Sequence, residues 1–204
     1  MKKKPESRKF AAILLAAGSS SRLGQPKQLV RVAGESLVRR AACQLLKLNP
    51  VSTTVVTGFA VDAVEHELYD LPVTLARNDN WEQGMGRSIA CGIQNISEKV
   101  DGALITVCDQ WRVEDIDLIR LISAWSSDIS GISVASWHDS KTFIYGAPAL
   151  FARKYFRELK ALKGNKGAKT LIGQHLNEVQ FIEMENAACD LDRPEDLEQL
   201  LKRS

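Results

Sequence analysis

Short apolar runs recur along the chain at intervals that leave room for a helix between neighbours. Ala11–Leu15, Thr53–Thr57, Val73–Ala76, Ala103–Val107 and Ile132–Ser136 are aliphatic or β-branched and short, the signature of strands buried on both faces. Between them the period changes. From Glu35 to Leu48 the apolar positions Leu37, Val38, Ala41, Ala42, Leu45, Leu46 and Leu48 gather largely on one helical face, and Asn49-Pro50 stops the pattern. Similar spacing predicts helices over Arg87–Ile96, Val113–Trp125 and Pro148–Leu159. Alternating strands and helices imply parallel strands joined by right-handed crossovers. The predicted fold is therefore α/β: a three-layer, doubly wound, mostly parallel sheet of Rossmann-like type.

In such sheets ligands bind at the carboxyl ends of the strands. The first run empties there into Gly18-Ser19-Ser20-Ser21-Arg22-Leu23-Gly24-Gln25-Pro26-Lys27. Gly18 lets the backbone approach an anion, the loop N–H groups and three serine hydroxyls can donate hydrogen bonds, and Arg22 and Lys27 stay charged at neutral pH. This is a phosphate loop, although neither Gly-x-Gly-x-x-Gly nor a closing Gly-Lys-Ser/Thr is present. The run Ala103–Cys108 ends in Asp109, a carboxylate that calls for a cation. Magnesium suits it, as a hard ion that takes one or two carboxylates together with phosphate oxygens. Asn78 and Trp81–Ser88 join a strand to a helix through Gly84-Met85-Gly86, so their N–H groups and the Ser88 hydroxyl could reach a base or ribose.

Composition narrows the partners. A chain of 204 residues is expected to form one domain, 1–204, burying roughly 70% of its unfolded surface, with residues 1–9 as a frayed basic leader. Its 27 basic and 25 acidic residues are spread along the chain, which disfavours nucleic acid and leaves a small anion as the expected partner. No run reaches the ~20 apolar residues of a membrane span, and no signal-type apolar core follows the leader, so a cytoplasmic protein is expected. Cys43, Cys91, Cys108 and Cys189 lack any Cys-x-x-Cys pairing and read as reduced thiols. The Asp109 carboxylate should raise the Cys108 thiol pKa and argue against a nucleophile. His66, His138 and His175 have no metal-ligand spacing.

The motifs resemble those of the MobA-like nucleotidyltransferases, and within them the molybdenum cofactor cytidylyltransferase branch. Leu15-Ala16-Ala17-Gly18-Ser19-Ser20-Ser21-Arg22 through Lys27 is similar to L-A-A-G-x-S-x-R-x-G-x-x-K, and Asn78 through Ser88 to N-x-x-W-x-x-G-M. Val107-Cys108-Asp109-Gln110 is similar to the strand-end aspartate segment, Gly146-Ala147-Pro148-Ala149-Leu150-Phe151 to a G-x-P-x-L-F turn, and Gly164-Asn165-Lys166-Gly167-Ala168-Lys169 to G-D-K-G-A. Asp190-Leu191-Asp192-Arg193-Pro194-Glu195-Asp196-Leu197 is similar to D-I-D-T-P-E-D-L.

The resemblance implies magnesium-dependent transfer of CMP from CTP to the phosphate of molybdopterin or molybdenum cofactor, releasing pyrophosphate. It implies that Leu15, Ala16, Ala17, Gly18, Ser19, Ser20, Ser21, Asn78, Gly84, Met85 and Ser88 bind the nucleotide. Arg22 then suits the β- and γ-phosphates through its planar fork, and Lys27 suits the α-phosphate. Asp109 is the implied metal ligand. Asp192 is a second candidate, with a helix N-cap before Arg193-Pro194 as the alternative, and Asp190 carries the same two readings. Gln110, Trp111, Lys166 and Lys169 fall where the acceptor is met. Ala17 stands where guanylyl enzymes carry glycine and leaves less room for a purine, favouring CTP. A molybdenum hydroxylase or its chaperone would receive the product. Trp111 replaces the family's usual proline and Ala147 a frequent histidine, which opens the acceptor side. Alternatives are a GTP- or sugar-phosphate-using enzyme of the same fold, or a non-catalytic nucleotide-binding accessory protein.

Overall fold

The computed structural model describes residues 8–96, 99–127, 131–164 and 167–201. The expected frayed leader lies outside the described residues up to Ser7; Lys9 is tied to Asp101 through backbone and carboxylate hydrogen bonds of 2.7 and 2.9 Å.

The parallel half of the sheet forms where the apolar runs predict it. β1 (Phe10–Leu15), β4 (Ser52–Thr57), β5 (Thr74–Arg77) and β6 (Gly102–Val107) pair in parallel in the order β5-β4-β1-β6. A short antiparallel ribbon, β2 (Arg31–Val32) with β3 (Glu35–Ser36), leads into α1 (Leu37–Lys47), whose first turn is capped by the Ser36 hydroxyl accepting from the Arg39 N–H. The remaining crossovers are α2 (Val61–His66) and α3 (Met85–Gln94), with α4 (Asp115–Ser127) following β6.

The second half differs from expectation. β7 (Ile132–Asp139) turns through Ser140-Lys141 into β8 (Thr142–Ala152), and so short a connection permits only antiparallel pairing. β8 in turn lies antiparallel to β6, and β9 (Val179–Glu183) adds parallel to β7 at the edge. The helix predicted over Pro148–Leu159 is therefore a strand as far as Ala152, then a turn of 3₁₀ helix and the short α5 (Phe156–Lys160). Ala149, Leu150, Phe151 and Ala152 are all buried, so burial on both faces imitates a helical pattern. Gly146-Ala147-Pro148 is not a turn but an irregularity within β8, where the register shifts between Val134 and Ala135 and the missing proline N–H breaks no ladder bond. α6 (Ala168–Gln174) and α7 (Pro194–Leu201) complete the chain.

Strand alternation sorts the core into two layers. Ala12, Leu14, Val55, Leu104 and Leu150 pack with Val38, Leu45, Leu118 and Trp125 of α1 and α4. Ile13, Leu15, Val56, Ile105 and Phe151 pack with Ile89 and Ile93 of α3, Leu159 of α5 and Leu171 of α6. Because β1, β4, β5 and β6 run the same way, the loops after them meet at one edge.

Candidate active site

Gln28, 1% exposed, organises the loop after β1. Its side-chain amide donates to the carbonyls of Ala16 at 2.9 Å and Gly18 at 2.6 Å. Those carbonyls are thereby turned inward, which leaves the loop's outer side to its donors. Of the three serines, Ser20 is spent internally: its hydroxyl accepts from the Lys27 N–H at 3.0 Å and lies 3.5 Å from Gln28 Oε1. A Cβ placed on Gly18 would meet no protein atom within 4 Å, so this glycine keeps space open rather than serving a left-handed turn.

That space is a cleft of about 320 Å³ between the Gly18 loop, Trp81, Met85 and Asp109. Leu15, Ala16, Ala17, Ser19, Gly84 and Ser88 also line it. At its β4 side Gly58 permits close packing, since a Cβ there would fall 2.9 Å from the Ala17 Cβ and 2.7 Å from the Trp81 Cβ. A neighbouring hollow of about 220 Å³ shares Gly18 and Lys27 and adds Ser20, Ser21, Arg22 and Asp192. Two recesses thus flank one lysine.

The Lys27 ammonium is held between the Asp109 carboxylate and Asp192 Oδ1, the latter at 2.9 Å. Burial would depress its pKa, but the two carboxylates outweigh that and raise it, so Lys27 stays protonated. Arg22, with a side chain 76% exposed, lies 3.9 Å from Asp192 and is free to follow a ligand. Asp190 belongs to the same group of carboxylates, and burial, with Asp109 and Asp192 nearby, pushes it up to about 7. The other Asp109 oxygen, Oδ1, is buried without a hydrogen-bond partner among the described residues. An orphaned carboxylate oxygen beside a second carboxylate, that of Asp192, offers the kind of oxygen donors that a hard divalent cation takes. Burial and the Asp109 charge push the Cys108 thiol up, which disfavours the thiolate that a nucleophile needs. The Asp192 carboxylate meets Lys27 and Arg22, while the carboxylate that accepts backbone N–H groups at the start of α7 is that of Asp196, from Asp192 and Arg193 at 3.1 and 2.8 Å.

Other predicted residues are placed differently. Asn78 is buried and serves as a brace, donating to Ser88 Oγ at 3.0 Å and accepting from the Asn80 N–H at 3.1 Å. Gln110 likewise donates to the carbonyls of Ala147 and Ala187, both at 2.8 Å, joining the end of β6 to β8. Trp111 lines neither recess. Its ring packs with Leu23, Val30, Leu37, Leu191 and Leu200 and borders a separate hollow on the α1–α4 side. That apolar cluster, rather than either recess, holds the indole. Lys166 lies outside the described residues. Lys169 stands on α6 with its ammonium 5.1 Å from the Tyr145 ring centroid. Gln28 and Gly58 escaped the sequence reading; the spacing of Gln28 from the glycine loop carries no signal by itself.

A family model described as the MobA-like NTP transferase domain matches residues 12–179. Among curated proteins, the bifunctional protein GlmU of Syntrophotalea carbinolica is 32% identical over 140 residues, covering 67% of this chain and 30% of its own length. GlmU of Bifidobacterium longum is 33% identical over 131 residues, covering 61% and 28%. The chain thus spans less than a third of either relative. Among solved structures, Rv0371c from Mycobacterium tuberculosis H37Rv superposes with a TM-score of 0.83 at 24% identity, over 96% of this chain and 98% of that one. A manganese complex of the same mycobacterial protein gives 0.78 at 21% identity, over 96% and 100%. A Methanothermobacter nucleotidyl transferase gives 0.78 at 19% identity, over 96% and 97%.

Proposed function

We propose that this chain, which belongs to the MobA-like NTP transferase family, transfers CMP from CTP to the phosphate of molybdopterin or its molybdenum form and releases pyrophosphate. The observation that carries the reading is the meeting of the Gly18 loop, Lys27 and Asp109 across one cleft at the carboxyl ends of β1 and β6. Such a transfer needs no protein nucleophile. It needs alignment of the acceptor phosphate with the α-phosphorus and donors where charge accumulates.

The triphosphate lies along the Gly18 loop, whose unspent N–H groups and the Ser19 and Ser21 hydroxyls donate to it. Lys27 shares both recesses and neutralises the α-phosphate, while the exposed Arg22 fork closes on the β- and γ-phosphates. Asp109 and Asp192 would hold a magnesium ion, which when bound offsets the charge of the triphosphate and the departing pyrophosphate. Ala17 and Trp81, packed across Gly58, narrow the cleft for a pyrimidine. Asn78 and Gln110 act by bracing Ser88 and the β6–β8 junction. Lys169, with Lys166, serves the acceptor side.

Pyrophosphate release measured with each of the four NTPs and purified molybdopterin tests this. Turnover is expected with CTP. Turnover with a sugar phosphate alone as acceptor would exclude the reading, and CTP binding without any turnover would leave a carrier role.

A further inference from the structure

A line of aromatic rings lies beyond the cleft lining, on the face of the sheet that carries α3, α5 and α6. Phe143 and Tyr145 alternate along β8, and Phe181 on β9 pairs with Val134, which faces the α3–α5–α6 layer. Tyr145 packs against that layer, while a Cβ on its neighbour Gly146 would point to the Trp137 ring on the opposite side. Ring centroids lie 5.2 Å apart for Phe143–Phe181 and 5.5 Å for Tyr145–Phe181. Yet Phe143 is 47% exposed and Phe181 37%. These rings are ordered against one another and still face outward.

Their position relates them to Asp109. Ile105 of β6 pairs with Ala149 of β8, and Gln110 reaches the Ala147 carbonyl at 2.8 Å, so Tyr145 lies level with the end of β6. Continuity runs through the helices as well. Met85 lines the cleft, a Cβ on Gly167 would lie 3.4 Å from its Sδ, and two residues later Lys169 holds its ammonium over Tyr145. A cation beside half-exposed rings suits a ligand that is planar at one end and anionic at the other.

We propose that Phe143, Tyr145 and Phe181, with Lys169 at their margin, form the acceptor shelf and select an acceptor whose phosphate is attached to a conjugated fused-ring system. The proposal rests on the acceptor assigned above and goes further, in naming the residues that separate such a ring from a sugar. The test titrates the phosphate ester of 6-hydroxymethylpterin, followed by its own fluorescence anisotropy. The proteins are wild type, Phe143→Ser with Phe181→Ser, Tyr145→Leu and Lys169→Ala. Calorimetric titration with Mg·CTP checks that each variant is folded and keeps its nucleotide side.

The double variant and Tyr145→Leu are expected to weaken the pterin ester at least ~10-fold while CTP affinity is unchanged. Lys169→Ala should weaken the phosphorylated pterin and not its unphosphorylated parent. Equal affinity in wild type and double variant overturns the shelf alone. A wild-type protein that ignores the pterin ester and turns over a sugar phosphate overturns the acceptor assignment and the shelf together.

Discussion

On the side of β5, β4, β1 and β6 the strands run parallel, and their loops converge into a cleft built from backbone, glycine and paired charge. On the side of β8, β7 and β9 the direction of β8 reverses, the register shifts near Pro148, and half-exposed aromatic rings stand on the surface beside charged side chains. The two regions meet at Gln110, whose amide ties the end of β6 to Ala147. A parallel edge supplies oriented N–H groups and suits a triphosphate, which resembles itself in every NTP. An antiparallel extension can vary its side chains without disturbing those loops, and so suits the partner that distinguishes one transferase from another. On the proposed reading, chemistry and acceptor selectivity are housed on different strands.

The sharpest way to break that division is to disable the parallel side alone. Asp109→Ala is expected to lower turnover about a thousandfold, because the site loses its best-placed carboxylate where charge accumulates. Little change in melting temperature should accompany it, since Asp192 remains to pair Lys27. Rapid-quench measurement of pyrophosphate with a parallel thermal melt decides the matter: residual activity within tenfold of wild type would move the metal site elsewhere.

Gln28→Ala comes next, at about a hundredfold in kcat/KM for CTP. Two inward-turned carbonyls lose their donor, the loop shifts, and misplacement by about an ångström has this cost. Stability should fall by about 1–3 kcal/mol in urea titrations. The acceptor KM at saturating CTP should not move. If it rises in step, the two regions are coupled more tightly than their separate strands suggest.

How far these regions were legible in the sequence follows from the same contrast. β1, β4, β5 and β6 are short apolar runs bounded by loop residues, and Gly18, Lys27 and Asp109 stand at their ends where the topology must bring them together. Local pattern and global fold agree there. β8 does not announce itself, because Ala-Pro-Ala-Leu-Phe-Ala is apolar on both faces and lacks the alternation that separates a strand from a helix. The brace formed by Gln28 was hidden for another reason. Its two partners lie 12 and 10 residues away in a loop, at a spacing that no helical or strand period marks. Trp111, singled out because it replaces the family's usual proline, is close to Asp109 in sequence. Neighbouring residues in a turn after a strand, however, send their side chains in unrelated directions.

Ala17→Gly probes the cleft's base end at a smaller scale. Removing the methyl that faces Gly58 should raise kcat/KM for GTP about tenfold relative to CTP, the usual value of one such group in a pocket. Competition between the two nucleotides in one reaction reads the ratio directly, and an unchanged ratio would remove Ala17 from nucleotide selection.

Trp111→Ala is expected to have the least effect on selectivity, and it tests where the boundary between the regions runs. The Trp111 N–H donates to the Asp109 carbonyl at 3.0 Å, a contact that alanine keeps. The indole itself leaves the site, lies 4.7 Å from the Arg112 guanidinium carbon and covers Leu37 and Leu200 between α1 and α7. Its removal should cost about 2 kcal/mol of stability through lost apolar contact, measured by urea unfolding. Acceptor KM should stay at the wild-type value. A modest drop in kcat alone would mean that the loosened α7 carries Asp192 with it, since the two are linked through the Asp196 cap. A selective rise in acceptor KM would place the indole against the acceptor after all, and the selectivity assigned to β8 and β9 would then have to be shared with the loop after β6.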